Sequence, residues 1–103
     1  MSHENLHEPF SQLSDETKNM HRAIISLVEE LEAVDWYNQR IDTCENKELK
    51  GILIHNRDEE KEHAAMILEW IRRTDNRFSR ELKEYLFTDA PLTDLEKNHP
   101  SGS

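Results

Sequence analysis

Glycine, proline and cysteine are scarce in this sequence, whose 103 residues include two Gly, three Pro and one Cys. With few helix-breaking residues and few β-branched runs, the composition argues against sheets and favours long helices. The single Cys44 excludes an intrachain disulfide and indicates a reducing compartment. The sequence lacks any apolar run near the roughly 18 residues of a membrane span, and it lacks the apolar stretch of a signal peptide. It therefore predicts a soluble, cytoplasmic, helical protein.

Positive charge is also scarce. The chain has 13 Lys and Arg against 22 Asp and Glu, and the net charge of −9 argues against nucleic acid or an anionic membrane as partner. Such a chain is suited to attracting cations. With 35% hydrophobic and 34% charged residues, little apolar surface remains for the core of one small domain. We therefore expect the chain to form oligomers.

From Pro9 onward, apolar residues recur at every seventh position. This row predicts one long amphipathic helix of about thirty residues, or about 45 Å at 1.5 Å per residue. The members of the row are Leu13, Met20, Leu27, Val34 and Ile41.

Two polar breaks divide the rest of the helical pattern. The first, at 42–46, contains poor helix formers and is short enough to make the next helix antiparallel to the first. A second amphipathic helix is predicted from about Lys47 to Thr74. A short third helix is predicted after the break at 74–76, either to cap the hairpin or to pack against a neighbouring subunit.

The predicted domain organisation is simple. Residues 1–9 are polar and lack periodicity, which predicts a flexible N-terminal arm. Residues 10–88 are expected to form one helical domain. Pro91 ends the third helix, and we expect 89–103 to be a loosely ordered tail.

Three residues with metal-binding side chains fall on the apolar rows of the two long helices: Glu30, Glu60 and His63. A buried carboxylate costs several kcal/mol unless it is compensated, and a bound cation would compensate it. Residues three apart on a helix are neighbours, so Glu60 and His63 can bind one ion together. Carboxylate with imidazole suits iron, manganese or zinc better than calcium or magnesium.

One chain supplies half of a two-metal site. Di-iron carboxylate four-helix bundles use one Glu from each of two helices and a Glu-x-x-His pair from each of the other two. A two-fold axis between identical hairpins would supply both halves, with four carboxylates facing two divalent cations. The predicted fold is therefore all-α: an antiparallel two-helix hairpin with a short C-terminal helix, dimerising into a four-helix bundle.

The neighbours of Glu30 have a plain interpretation as well as a functional one. Glu29 and Glu32 can form a solvated acidic face or an uptake site for cations. Trp36 and Tyr37 can be core or interface aromatics, or can act near a metal. A Glu-x-x-His pair also arises by chance in so charged a chain. Its position on the apolar rows, opposite a matching Glu, favours the metal site.

Two segments resemble the encapsulated ferritins: EELEAVDWY at 29–37 and HNRDEEKEHAAM at 55–66, followed by LEWIRR and YLFT. The resemblance extends from about Leu6 to Glu96. It implies a ferritin-like fold and a ferroxidase that oxidises Fe²⁺ with oxygen at a di-iron centre, inside an encapsulin protein shell. In that family, hairpins dimerise to form the di-iron centre, and five dimers form an annular decamer.

The resemblance also assigns roles to single residues. It puts the metal ligands at Glu30, Glu60 and His63. It puts the carboxylates of an uptake site at Glu29 and Glu32, and the aromatic positions near the centre at Trp36 and Tyr37.

We therefore expect a ferroxidase for iron storage in an encapsulin nanocompartment, with Glu30, Glu60, His63 and Tyr37 in catalysis. One alternative is a non-catalytic helical dimer that binds or delivers metal, which oxygen consumption on adding Fe²⁺ would distinguish from an oxidase. Another is a structural dimer whose inward Glu and His residues set the register through hydrogen bonds alone. An elemental analysis that finds no metal per dimer would favour that alternative.

Overall fold

The structure is a computed structural model and describes residues 5–97. Within that range it contains a short 3₁₀ helix, Phe10–Gln12, four α-helices and no strand. The α-helices are α1, Asp15–Thr43; α2, Lys47–Thr74; α3, Asn76–Tyr85; and α4, Leu92–Lys97. The predicted all-α fold is confirmed. The outer parts of the predicted arm and tail, 1–4 and 98–103, lie outside the described residues.

Helix α1 begins later than the apolar row predicts. The hydroxyl oxygen of Ser14 accepts a hydrogen bond from the backbone N–H of Thr17 at 3.1 Å, which caps the helix. Asp15 and Glu16 in the first turn complement the helix dipole. The N–H of Leu13, the first member of the predicted row, instead donates to the carbonyl oxygen of Phe10, and Leu13 caps the end of the 3₁₀ helix. The start of the long helix is thus Asp15 and not the neighbourhood of Pro9.

Helices α1 and α2 form an antiparallel hairpin. The connection is short because Asn46 caps α2 at once: its side-chain oxygen accepts from the N–H of Leu49 at 2.9 Å. Side-chain contacts join the helices, among them Arg57 to Asn38 and His63 to Glu30. The residue later in α2 pairs with the residue earlier in α1, so the helices run in opposite directions. Both bounds of α2 agree with the sequence prediction.

The chain divides into two compact units, Met1–Ile71 and Arg72–Ser103. The first unit contains the 3₁₀ helix, α1 and most of α2. The second contains the last turn of α2 together with α3 and α4.

In the second unit, Asp75 caps α3 by accepting from the N–H of Phe78 at 2.8 Å. Helices α3 and α4 contact each other. The carbonyl of Pro91 accepts from the N–H of Asp94 at 3.0 Å and so begins α4. The segment predicted as a loosely ordered tail therefore contains a helix, because proline just before a helix start leaves no backbone donor unpaired there.

Few of the described side chains are buried. The buried hydrophobic residues are Ile41, Ala64 and Ile71, whereas a dozen large apolar residues, among them Leu31 and Met66, are exposed. One chain by itself thus leaves much apolar surface in water. In the described part of the chain, no helix has an apolar stretch long enough to cross a bilayer.

Candidate metal centre

The three residues predicted as metal ligands come together in the hairpin. Glu30, Glu60 and His63 each offer one ligand atom, and these atoms lie within 4.8 Å of one another. His63 Nδ1 is 3.0 Å from Glu60 Oε1 and 3.1 Å from Glu30 Oε2. One ring nitrogen therefore faces carboxylate oxygens from both helices.

The local helix geometry explains how the three side chains meet. Glu60 and His63 are three positions apart on α2, so their side chains are neighbours on one turn. Glu30 comes from α1, across the hairpin. The tight connection after Thr43 holds α1 beside α2, which brings Glu30 to the same level as the pair.

In a single chain, the cluster is more open than the sequence predicts. The side chains of Glu30 and Glu60 are 22% and 24% exposed, but that of His63 is 48% exposed. Three positions advance a helix by about 300°, so His63 lies about 60° around α2 from Glu60. His63 reaches Glu30 on α1 through Nδ1, yet its side chain is about twice as exposed as that of Glu60. The apolar row predicted burial for both.

The two carboxylates raise the pKa of His63. The hydrogen bond with Glu60 contributes most, burial opposes it in part, and the hydrogen bond and charge of Glu30 raise the pKa further. The imidazole therefore holds a proton between two carboxylates more readily than an isolated histidine does. A divalent cation bound by these three groups would displace that proton.

The donor set fits a transition metal. Two carboxylates and one imidazole match the ligand preferences of iron, manganese and zinc, while the thiolates of a structural zinc site are missing from the cluster. With neutral His63, the two carboxylates cancel the charge of one divalent ion. The cluster can therefore hold one such ion per chain and has too few ligands to enclose two.

The other residues assigned to the site lie outside this cluster. Glu29 and Glu32 are exposed on α1, and the Trp36 side chain is 51% exposed. Tyr37 is half-buried, with the guanidinium carbon of Arg40 5.4 Å from its ring centre. The roles of all four as uptake or catalytic residues remain predictions.

Exposed apolar residues surround His63 on its side of α2. Ile52, Met66 and Trp70 are 52%, 63% and 42% exposed. At 100° per residue, all three lie within about 60° of His63 around the helix. We call the side of α2 formed by these four residues the metal face. The sequence pattern assigned the apolar residues to rows but did not show that this face is open in one chain.

One polar contact near the cluster was not found from the sequence. Arg57 Nη1 donates to Asn38 Oδ1 at 3.1 Å, linking α2 to α1. Arg57 also donates from Nε to Asp58 Oδ1 at 3.2 Å. Arginine and asparagine are ordinary surface residues of helices, so no sequence pattern signals that these two meet.

Comparison with known proteins identifies the family. The EncFtn-like family model matches residues 5–89. The encapsulated ferritin-like protein of Rhodospirillum rubrum is 57% identical over 96 residues, covering 93% of this chain and 69% of that protein. The encapsulin nanocompartment cargo protein EncC of Myxococcus xanthus is 40% identical over 60 residues, covering 58% of this chain and 46% of that protein.

A solved structure is similar over most of its length. The crystal structure of a protein from Nitrosomonas europaea has 69% sequence identity and a TM-score of 0.83, covering 85% of this chain and 97% of that chain. Sequence and fold thus agree with the resemblance of the two motif segments. The chain belongs to the EncFtn-like family of encapsulated ferritin-like proteins.

Proposed function

We propose that this protein is a ferroxidase that takes Fe²⁺ as its substrate and transfers its electrons to oxygen. The observation that carries the proposal is the cluster of Glu30, Glu60 and His63, whose ligand atoms lie within 4.8 Å of one another. Carboxylate and imidazole together suit iron. Membership of a ferritin-like family supports iron over the other metals that this donor set accepts.

The proposed site is completed by a second copy of the chain. A di-iron carboxylate centre uses four carboxylates and two histidines, which is twice the content of this cluster. A two-fold axis would bring two clusters together without any new residue. The metal face supports this arrangement, because Ile52, Met66 and Trp70 leave apolar surface beside His63 for a partner to cover.

Each ligand has a distinct role in the proposal. Glu60 and His63 would hold one iron from the same turn of α2, and Glu30 would supply a further carboxylate from α1. A bound iron pair would supply the redox chemistry, and the protein would fix the ligands and keep water out once the second copy covers the metal face. Tyr37, on the row of Glu30, is proposed as an aromatic residue near the centre.

Exposed carboxylates are proposed to guide iron to the centre. Glu29 and Glu32 flank Glu30 and belong to a chain with a net charge of −9. Negative surface charge raises the local concentration of cations. Together with Trp36, these residues form the proposed uptake site, whereas Glu30, Glu60 and His63 would hold the ions during oxidation.

Higher assembly is proposed from a second exposed surface. Ile24, Val28 and Leu31 are 43%, 44% and 54% exposed. They lie about 100° to 160° around α1 from Glu30, so they do not belong to the surface that carries the ligands. Partners on both surfaces of the hairpin would build more than a dimer. This supports the annular decamer that the family resemblance implies.

The names of two relatives support a compartment. One is called encapsulated and the other an encapsulin cargo protein. We propose by similarity that this protein also works inside an encapsulin shell in the cytoplasm, where oxidised iron would be stored.

Oxygen consumption tests the proposed activity. Fe²⁺ added to the purified protein in air should consume oxygen faster than Fe²⁺ in buffer, and the Glu30→Ala variant should not exceed the buffer rate. A protein that binds Fe²⁺ but leaves the oxygen rate at the buffer value would be a metal-binding or delivery protein. A protein that binds no metal would be the structural dimer.

A further inference from the structure

The alignment of α1 against α2 decides whether the metal cluster forms. Glu60 and His63 share one helix turn and keep their spacing whatever α1 does. Glu30 is the one ligand from α1, so a small rotation or slide of α1 would move it away from the pair. A displacement of about 1 Å at a reacting centre can cost about 100-fold in rate.

The contact between Asn38 and Arg57 is well placed to fix that alignment. It lies about 12 Å along α1 from Glu30 and about 9 Å along α2 from His63, counting 1.5 Å per residue. Arg57 is about 120° around α2 from His63, so the contact is on a different side of the hairpin from the metal face. Two contacts on different sides restrict rotation, which one contact alone would allow.

The guanidinium of Arg57 is itself held in place. Nε donates to Asp58 on the same helix at 3.2 Å, and Nη1 donates to Asn38 on the other helix at 3.1 Å. Its side chain is only 23% exposed. The planar guanidinium can make both bonds at once in a fixed geometry. The contact to Asn38 is therefore directional and not only a charge on the surface.

We propose that Asn38 and Arg57 are positioning residues for the metal site. Their hydrogen bond fixes the rotation and the axial alignment of α1 against α2, and so presents Glu30 to Glu60 and His63 before metal binds. The role rests on the proposed metal site, but it belongs to residues that touch neither the metal nor its ligands.

Binding of Co²⁺, which is stable in air and has a visible absorption spectrum sensitive to geometry, tests this role. Asn38→Ala should weaken Co²⁺ binding about tenfold, the lower end of the 10- to 100-fold effect of residues that orient metal ligands, and should change the spectrum at saturation. Asn38→Asp keeps an acceptor oxygen for Arg57 and should restore both. Helix content by circular dichroism should be unchanged in all variants.

Arg57→Ala separates positioning from charge. Removing a positive charge near a cation site should tighten metal binding by electrostatics alone, yet the positioning role predicts weaker binding, again about tenfold. Lys61→Ala is the matched control, because it removes a positive charge next to Glu60 without removing a contact between the helices. Its Co²⁺ affinity should stay within about twofold of the wild type or increase.

A double variant completes the test. If the two residues act through one hydrogen bond, Asn38→Ala with Arg57→Ala should bind Co²⁺ about as well as either single variant. Additive losses, or single variants with wild-type affinity and spectrum, would overturn the positioning role while leaving the metal site in place. Wild-type protein that binds no Co²⁺ or Fe²⁺ would instead overturn the proposed function.

Discussion

Glu30 Oε2 on α1 lies 3.1 Å from His63 Nδ1 on α2, although the two residues are 33 positions apart in sequence. Folding of the hairpin creates this contact, so the cluster does not exist in the extended chain. The contact also raises the pKa of His63, together with the larger effect of Glu60. Metal binding, protonation and packing of the hairpin are therefore linked at one point of the molecule.

Substitution of any of the three ligands should abolish iron oxidation. Loss of a residue that only orients a ligand costs about 10- to 100-fold in metal affinity, so Glu60→Ala, His63→Ala and Glu30→Ala should each reduce the rate of Fe²⁺ oxidation by more than about 100-fold. The expected effect of Glu30→Ala is the informative one, because this residue is on the other helix. The rate can be measured by absorbance of Fe³⁺ after mixing with Fe²⁺ in air.

Glu62→Ala is the matched control for those variants. Glu62 is next to His63, but it is exposed and lies outside the cluster. Its activity should stay within about twofold of the wild type, as for most surface substitutions. The ligand assignment would be contradicted if Glu62→Ala were as inactive as Glu60→Ala. A normal rate of Fe²⁺ oxidation in Glu30→Ala would contradict it as well.

The pH dependence follows from the raised pKa of His63. Protonated His63 holds both carboxylates in the metal-free chain, so its contribution to stability is fully present below pH 6.5, the ordinary pKa, and is lost as pH rises through the raised value. The difference in thermal midpoint between wild type and His63→Ala, both without metal, should therefore be larger near pH 6 than near pH 9.

Metal binding should show the opposite trend. A cation must displace the proton of His63, so Co²⁺ affinity should keep rising with pH above 6.5. His55→Ala, which removes an exposed histidine of the same helix, should change neither trend. A thermal midpoint difference that does not vary with pH would contradict the proton link between His63 and the carboxylates.

Assembly should depend on metal, because binding free energy at an interfacial site is also association free energy. Chelated protein should shift toward monomer in analytical ultracentrifugation and return to dimer or larger when Fe²⁺ is added without oxygen. In the monomer, the exposed apolar residues of the metal face stay in water, and association would cover them. An unchanged size under both conditions would count against a metal-controlled interface.

The exposed carboxylates should affect the rate of iron uptake and not the occupancy of the centre. Exposed negative charges attract cations from a distance. Salt screens this attraction beyond about 10 Å at an ionic strength of 0.1 M. Glu29→Ala with Glu32→Ala should therefore slow Fe²⁺ oxidation several-fold at low ionic strength and little at high ionic strength. If the double variant and the wild type oxidised Fe²⁺ at equal rates at low ionic strength, both residues would be ordinary solvated surface residues.

Some features of the fold were accessible from sequence because they depend on neighbouring residues. The bounds of α2 follow from Asn46 and from the polar break after Thr74. The late start of α1 also had a signal, since Ser14 precedes two acidic residues and can cap the helix, but the apolar Leu13 hid it. Helix α4 follows Pro91, whereas the sequence pattern predicts only that this proline ends a helix.

The candidate site was predictable in part for the same reason. Apolar rows put Glu30, Glu60 and His63 on the sides of α1 and α2 that face each other. The openness of His63 and the contact of Arg57 with Asn38 depend on the rotation of one helix against the other. Packing at long range sets that rotation, and the periodicity of a single helix does not contain it.

Anomalous X-ray diffraction from crystals grown with Fe²⁺ under nitrogen tests whether two copies share one iron pair. Data at the iron edge should show two peaks between two chains, each bounded by Glu60 and His63 of one chain and reached by Glu30 carboxylates. Iron peaks bound by one chain alone, or at surface carboxylates away from the cluster, would contradict the shared di-iron centre.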